Sequence, residues 1–232
     1  MKRGKFIVID GTDGSGKATQ TALLVDLLKK KKIKVKKIDF PRYNDNFFGA
    51  LIGDALAGNY GDFIAVDPHI ASVLYAADRW ESSVQIEQWL KKGYTVIADR
   101  YVSSNQIHQG GKINDELKRI EFLNWLDIME HKVFKIPRPD AIIYLHLTVQ
   151  QSLNLLANKD LGKKKQYLHG KKDLAENNPE HLAASRTSAI SIVKRNNKWI
   201  QIECATETGE IKTKQQIHDL VFEKVKHIAK IK

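Results

Sequence analysis

The sequence predicts a three-layer α/β/α domain built on a five-stranded parallel sheet, and three observations carry that expectation. Apolar runs of strand length alternate with longer stretches of helical periodicity along the whole chain, the pattern of a parallel sheet covered on both faces. The first apolar run, Phe6–Asp10, leads straight into Gly11-Thr12-Asp13-Gly14-Ser15-Gly16-Lys17 and then into a helical stretch. With 232 residues, 42% of them hydrophobic, the chain is long enough to bury one full core, and no linker or internal repeat divides it. Residues 1–232 are therefore expected to form a single domain.

Ile7, Val8 and Ile9 are β-branched and mark the first strand. After the glycine-rich loop, Ala22, Leu23, Leu24, Leu27 and Leu28 recur at helical spacing and predict a helix over Lys17–Lys31. Further strands are expected at Val35–Phe40, Thr95–Asp99, Ala141–Leu147 and Trp199–Glu203. Between and after them, helices are expected at Phe47–Ala57, Pro68–Lys91, Asn114–Val133, Val149–Asn158, Pro179–Asn196 and Thr213–Ile231. Residues 159–173 are lysine-rich with little apolar content, and their place between two helices is that of a lid.

Composition narrows the function. No stretch is long and apolar enough to span a membrane, the charged N-terminus lacks the apolar segment of a signal peptide, and the single Cys204 has no internal disulfide partner. A reducing cytoplasm is the simplest compartment. The net charge of +11 raises nucleic-acid binding as an alternative. The lysines, however, gather in Lys29–Lys37, in Lys163–Lys172 and along the C-terminal helix, without the interleaved aromatics on which single strands stack.

The loop after the first strand has the chemistry of a phosphate cradle. Its glycines let backbone N–H groups converge on phosphate oxygens, and Lys17 with the helix start adds positive charge. The fold expected is thus that of the P-loop NTPases. The short pattern is weak alone and gains its weight from the strand before it and the helix after it. One position departs: the pattern places Ser or Thr after the lysine, and this chain has Ala18. Ligands of such sheets sit at the carboxyl ends of the strands. Those ends carry Asp10-Gly11, Asp39-Phe40-Pro41-Arg42 and Asp99-Arg100-Tyr101, a concentration of charge that favours two phosphorylated ligands over packing.

The runs Phe40-Pro41-Arg42 and Leu74-Tyr75-Ala76-Ala77-Asp78-Arg79-Trp80-Glu81, with Asp99-Arg100-Tyr101 followed by Ser104 and Gln109-Gly110-Gly111, resemble the thymidylate kinase family. The resemblance covers about residues 5–200 in order and spacing. Ser104-Asn105-Gln106-Ile107-His108-Gln109, Trp125-Leu126 and Pro137-Arg138-Pro139-Asp140 are similar to one bacterial branch of that family.

The resemblance implies transfer of the γ-phosphoryl of ATP to dTMP, with Mg²⁺ as cofactor, in dTTP biosynthesis. It implies an ATP site in Gly11, Thr12, Asp13, Gly14, Ser15, Gly16, Lys17, Ala18 and Thr19. It implies a dTMP site in Asp13, Arg42, Tyr75, Arg79, Arg100, Ser104, Asn105 and His108. Within it, Arg42 and Arg100 approach the dTMP phosphate, Asp13 the 3′-hydroxyl, Tyr75 stacks on thymine, and Arg79 and Asn105 meet the base edge. Asp99 is implied as an outer ligand of Mg²⁺ through water. His108 stands where many members have an aromatic close to C2′ of the sugar. Gly14 stands where some members carry an arginine, so the lid is expected to supply that charge through Lys165 or Lys171. Asp173 and Glu176 match an acidic pair after the lid. A homodimer is implied, and the stripe Ile70, Val73, Leu74 and Ala77 is compatible with it and with core packing alike.

Residue chemistry alone leaves alternatives. Arg42 has Asp39 and Asp45 within reach as partners, Asp13 suits a turn, and Tyr75 suits a core. A deoxynucleoside kinase shares the architecture, and a non-catalytic nucleotide- or nucleic-acid-binding protein accommodates the basic charge and Ala18.

Overall fold

The computed structural model describes residues 2–157 and 179–231. The five strands are β1 (Phe6–Gly11), β2 (Val35–Asp39), β3 (Thr95–Asp99), β4 (Ala141–His146) and β5 (Trp199–Glu203). They form one sheet in the order β2-β3-β1-β4-β5, every pair parallel. The central strand is therefore the N-terminal one, with Ile7 opposite Ile97 on one side and Ala141 on the other.

Because side chains alternate across a strand, the sheet feeds two cores. Phe6 and Val8 of β1, with Val96, Ala98, Ile142 and Tyr144, face one layer of helices. Those helices are α3 (Pro68–Glu81), α4 (Ser83–Lys91), α5 (Val102–Gly111), α6 (Glu116–Ile128) and α8 (Pro179–Arg195). Ile7 and Ile9, with Ile97, Ile143 and Leu145, face α1 (Lys17–Lys30) and α9 (Lys214–Ala229). Leu155 of α7 (Val149–Ala157) packs against the rim of the same core. A smaller cluster of Ile52, Ala55, Leu56, Phe63 and Ala71 joins α2 (Phe47–Leu56) to α3. The expected sheet and its three layers are all present.

Two expected elements need correction and one helix was not expected. The helix over Pro68–Lys91 is two helices, α3 and α4, separated at Ser82. The Ser83 hydroxyl donates to the Trp80 carbonyl at 2.7 Å, the local bond by which serine competes with the backbone ladder. The helix over Asn114–Val133 begins at Glu116, capped by the Asp115 carboxylate, and ends in a π-helical turn, Met129–Val133. Helix α5, absent from the sequence expectation, fills the stretch after β3. Its Ser, Asn and Gly residues are poor helix formers. Burial of Val102 and Ile107 and packing against α8 hold it in place.

Candidate active site

The phosphate loop lies between the central strand and α1. Gly14 and Gly16 have φ of 84° and 88°, in the left-handed region that side chains avoid, and a Cβ on Gly14 would stand 2.6 Å from the Ser152 carbonyl oxygen. Helices α2, α3, α6 and α9 begin with the side-chain caps Asn46, Asp67, Asp115 and Thr213. Helix α1 has no side-chain cap, so its first N–H groups remain for an anion. The Lys17 ammonium is buried and donates to the carbonyls of Gly11 and Thr12, both at 2.9 Å. Burial and the nearby Arg100 charge pull its pKa down to about 8 against the attraction of Asp13, Asp10 and Asp99. The Thr12 and Ser152 hydroxyls are paired at 3.3 Å, and Ser15 Oγ is buried without a hydrogen-bond partner among the described residues. Ala18 and Thr19, at the open start of α1, are exposed.

Across the loop, Arg100 leaves β3 with φ of 65°, an unusual conformation for a bulky residue and one that concentrates at functional sites. Its guanidinium pairs with the Asp13 carboxylate and lies 3.1 Å from His108 Nε2. Burial works upward on Asp13, but the charges of Arg100 and Lys17 outweigh it and hold the carboxyl well below its ordinary range. Burial opposes the charge on Arg100, and Asp13, Asp10 and Asp99 more than compensate, so its pKa is raised. Burial pushes the Asp99 carboxyl up, with Lys17 and Arg100 pulling the other way. Asp10 is fully buried and accepts from Ser103 Oγ at 2.6 Å, Ser104 Oγ at 2.9 Å and the Gly11 amide at 2.8 Å, tying the loop to the start of α5. His108 stacks on His181 of α8 with ring centres 5.3 Å apart, and its Nδ1 lies 3.2 Å from Ser185 Oγ. Burial, joined by the Arg100 charge and opposed by Asp13, keeps His108 well below the usual histidine range, so its ring is neutral near pH 7.

Between these groups opens a cavity. Phe40, Tyr43, Tyr75 and Tyr101 give it aromatic walls, and Asp13, Arg79, Arg100, Asn105 and His108 are among its polar groups, with Gln109 and Lys112 also on its lining. On its floor, Arg79 meets the fully buried Glu130 in a two-point ion pair, Nε to Oε2 at 2.7 Å and Nη2 to Oε1 at 2.5 Å. Asn105 Nδ2 donates to the same Glu130 Oε1 at 3.1 Å.

The structure thus gathers Asp13, Lys17, Tyr75, Arg79, Asp99, Arg100, Ser104, Asn105 and His108 around one loop and one cavity. Arg42 is not among the residues lining the cavity. Its side chain donates to Asp45 at 3.1 Å and to Ser82 Oγ at 3.3 Å, one of the pairings its sequence neighbours allowed. The expected lid, with Lys165 and Lys171, and the pair Asp173 and Glu176 lie outside the described residues. Sequence reasoning missed Glu130, Asp10 as a tie to α5, and His181. The signal for Glu130 was present: with Phe122 and Leu126 on the buried face of α6, position 130 falls on the same face, where an acidic residue needs a partner.

A glycine-rich loop at an uncapped helix start, beside a cavity over the carboxyl ends of a parallel sheet, defines a nucleotide-binding protein of the P-loop class. Comparison with known proteins narrows this. The profile of the thymidylate kinase family matches residues 9–217, and the chain belongs to that family. The thymidylate kinase of Plasmodium falciparum is 32% identical over 155 residues, 66% of this chain and 66% of that protein. The human thymidylate kinase is 30% identical over 146 residues, 63% of this chain and 62% of that protein. These matches span about two thirds of the relatives' length or slightly less. The solved structure of thymidylate kinase from Candida albicans shares the fold, with a TM-score of 0.70 at 24% identity, over 97% of this chain and 92% of that one.

Proposed function

We propose that the protein transfers the γ-phosphoryl group of ATP to dTMP, giving dTDP and ADP. The observation that carries this reading is the juxtaposition of two sites. An uncapped phosphate loop bearing Lys17 lies against an aromatic cavity, and Arg100, paired to the loop's own Asp13, stands at the join.

The acceptor is a phosphate monoester, dianionic near neutral pH because its second pKa is about 6. An acceptor phosphate oxygen forms a bond to the γ-phosphorus as the bond to the β–γ bridging oxygen breaks. No proton has to be removed, so the site's task is to align two polyanions and neutralise their charge. Lys17 and the loop amides hold the donor phosphates. Arg100 turns its planar fork to the acceptor phosphate in exchange for Asp13, whose carboxylate is then available to the sugar 3′-hydroxyl. Tyr75 and the neighbouring aromatics give the base a slot, with Arg79 and Asn105 at its edge.

A magnesium ion would neutralise phosphate charge here. The residues fit one held chiefly by phosphates and water. Among the described residues no three His, Cys, Asp or Glu side chains converge to hold a cation, while Asp99 offers one carboxylate beside Lys17. Ala18 has no side-chain oxygen to contribute. On sequence grounds Lys165 or Lys171 adds the cation that Gly14 does not provide.

The protein is also proposed to pair with a second copy through α3. Ile70 and Trp80 are more than half exposed there, and with Val73, Leu74 and Ala77 they line an apolar groove closed by Phe48, Phe63 and Phe134. Light scattering of the purified chain checks this. No helix among the described residues is long and apolar enough to cross a membrane.

A coupled assay with ATP and a panel of dTMP, dUMP, dGMP, dCMP and thymidine tests the reaction. Turnover of dTMP without turnover of thymidine is expected, and the reverse would identify a nucleoside kinase.

A further inference from the structure

We propose that Glu130 is the positioning residue that fixes which pyrimidine edge the cavity accepts, by setting the orientation of the Asn105 amide and the Arg79 guanidinium together. The inference rests on the dTMP reading above. It names the element that makes the base site selective.

Glu130 sits in the π-helical turn Met129–Val133, fully buried, 51 residues along the chain from Arg79 and 25 from Asn105. Both of its oxygens are occupied by these two residues, Oε2 by Arg79 Nε and Oε1 by Arg79 Nη2 and Asn105 Nδ2. Asn105 Nδ2 donates its second hydrogen to the Ser72 carbonyl at 3.2 Å. A carboxylate and a carbonyl accept hydrogen bonds and donate none, so the nitrogen of the Asn105 amide has to face them. Both N–H bonds of that amide are then used, and what it retains is an acceptor, Oδ1. Arg79 uses a third N–H on the Tyr101 carbonyl at 3.3 Å, leaving two of its five as donors.

Arg79 and Asn105 both line the cavity with Tyr75. Where Arg79 and Asn105 meet, the wall therefore offers one acceptor beside donors. A base with N3–H next to a carbonyl at C4, as in thymine and uracil, complements that wall. Cytosine presents an unprotonated N3 next to an amino group and opposes it at both points. Loss of the Glu130 carboxylate would let the amide turn over and the guanidinium swing, which erases the reading without removing either group that makes it.

The test is the ratio of kcat/KM for dTMP to that for dCMP, measured on the full chain. In Glu130→Gln the ratio is expected to fall by about tenfold or more, the scale on which misplaced polar partners change discrimination. The rise should lie in KM for the nucleoside monophosphate, with KM for ATP within about twofold of the parent. Glu130→Asp keeps the charge and withdraws it by one methylene, and an intermediate ratio is expected. A ratio unchanged in whichever variant folds, or activity reduced equally on all acceptors, makes Glu130 a structural post and overturns the proposal. So does failure of both variants to fold. Calorimetric affinities for dTMP and dCMP give the same ratio without turnover. A parent protein inactive on dTMP would therefore defeat the proposed reaction, while the binding ratio still decides on Glu130.

Discussion

The phosphate loop and the floor of the cavity both bury cations, and they pair them differently. In the loop, Lys17 leans on two backbone carbonyls and Arg100 on a carboxylate that itself faces the cavity, partners an incoming phosphate can replace. On the floor, Arg79 is locked to a carboxylate with no exposure at all. Groups that must meet charge keep exchangeable partners, and groups that must read a neutral base keep permanent ones. The energetics follow. A buried pair is costly to break from one side, because the remaining charge has nowhere to go, whereas a partly solvated pair is not.

The largest expected effect is on catalysis at the loop. Lys17→Ala should lower kcat/KM by about a thousandfold, the upper range for removing one preorganised charge stabiliser. Its melting temperature should stay within a few degrees of the parent, and a collapse of the fold would contradict the exchangeable character of Lys17. Next comes the contrast between two arginines. Arg79→Ala leaves Glu130 buried without its counter-charge, with only the Asn105 amide to meet it, and should cost about 3–5 kcal/mol in denaturant unfolding. Arg100→Ala should cost less than half of that, because its pair with Asp13 keeps some contact with solvent, while abolishing turnover. Equal stability losses would erase the distinction.

The loop also predicts a pH effect. Lys17 releases its proton near pH 8 in the folded protein, whereas an unburied lysine holds it to about 10.5. Between those values the unfolded chain binds more protons, so the Lys17 contribution to stability rises with pH across that window. Below pH 8 the folded state bears the full cost of the buried cation. Activity runs the other way. In the ATP-limited regime kcat/KM should fall above about pH 8, by tenfold per unit at the steepest, and Lys17→Arg should shift that limb out of range. The smallest effect belongs to Ala18→Ser, which offers a hydroxyl oxygen near the phosphates. The Mg²⁺ concentration for half-maximal activity should drop several-fold with stability unchanged, and no tightening would remove Ala18 from the account of the metal.

What was legible in the sequence depended on the range of the signal. The strands and α1 were visible because period-two and helical patterns are local, and the loop because its glycines and Lys17 are contiguous. Helix α5 was not, since Ser103, Ser104 and Asn105 argue locally against a helix and only Asp10 and α8, far away in sequence, argue for one. The break at Ser82 is marked by one hydroxyl bond, from Ser83 to the Trp80 carbonyl, which no periodicity announces. Residues of the cavity such as Tyr75 and Arg79 were identified through family resemblance. Glu130 was not: its place in line with the buried face of α6 is readable in the sequence, but its partners Arg79 and Asn105 are brought in only by the fold.

The strand order has a consequence for how the protein is made. β1 emerges first from the ribosome, yet its two neighbours are Val96–Asp99 and Ala141–Leu145. The phosphate loop hangs from that strand, and its β4 flank is missing until about residue 145 has been synthesised. For more than half of translation the nascent chain holds its nucleotide-binding segment without the complete sheet that shapes it, and such distant pairing is slow to form. A stalled or truncated chain ending before β4 should therefore expose the apolar Phe6–Ile9 segment and bind no nucleotide.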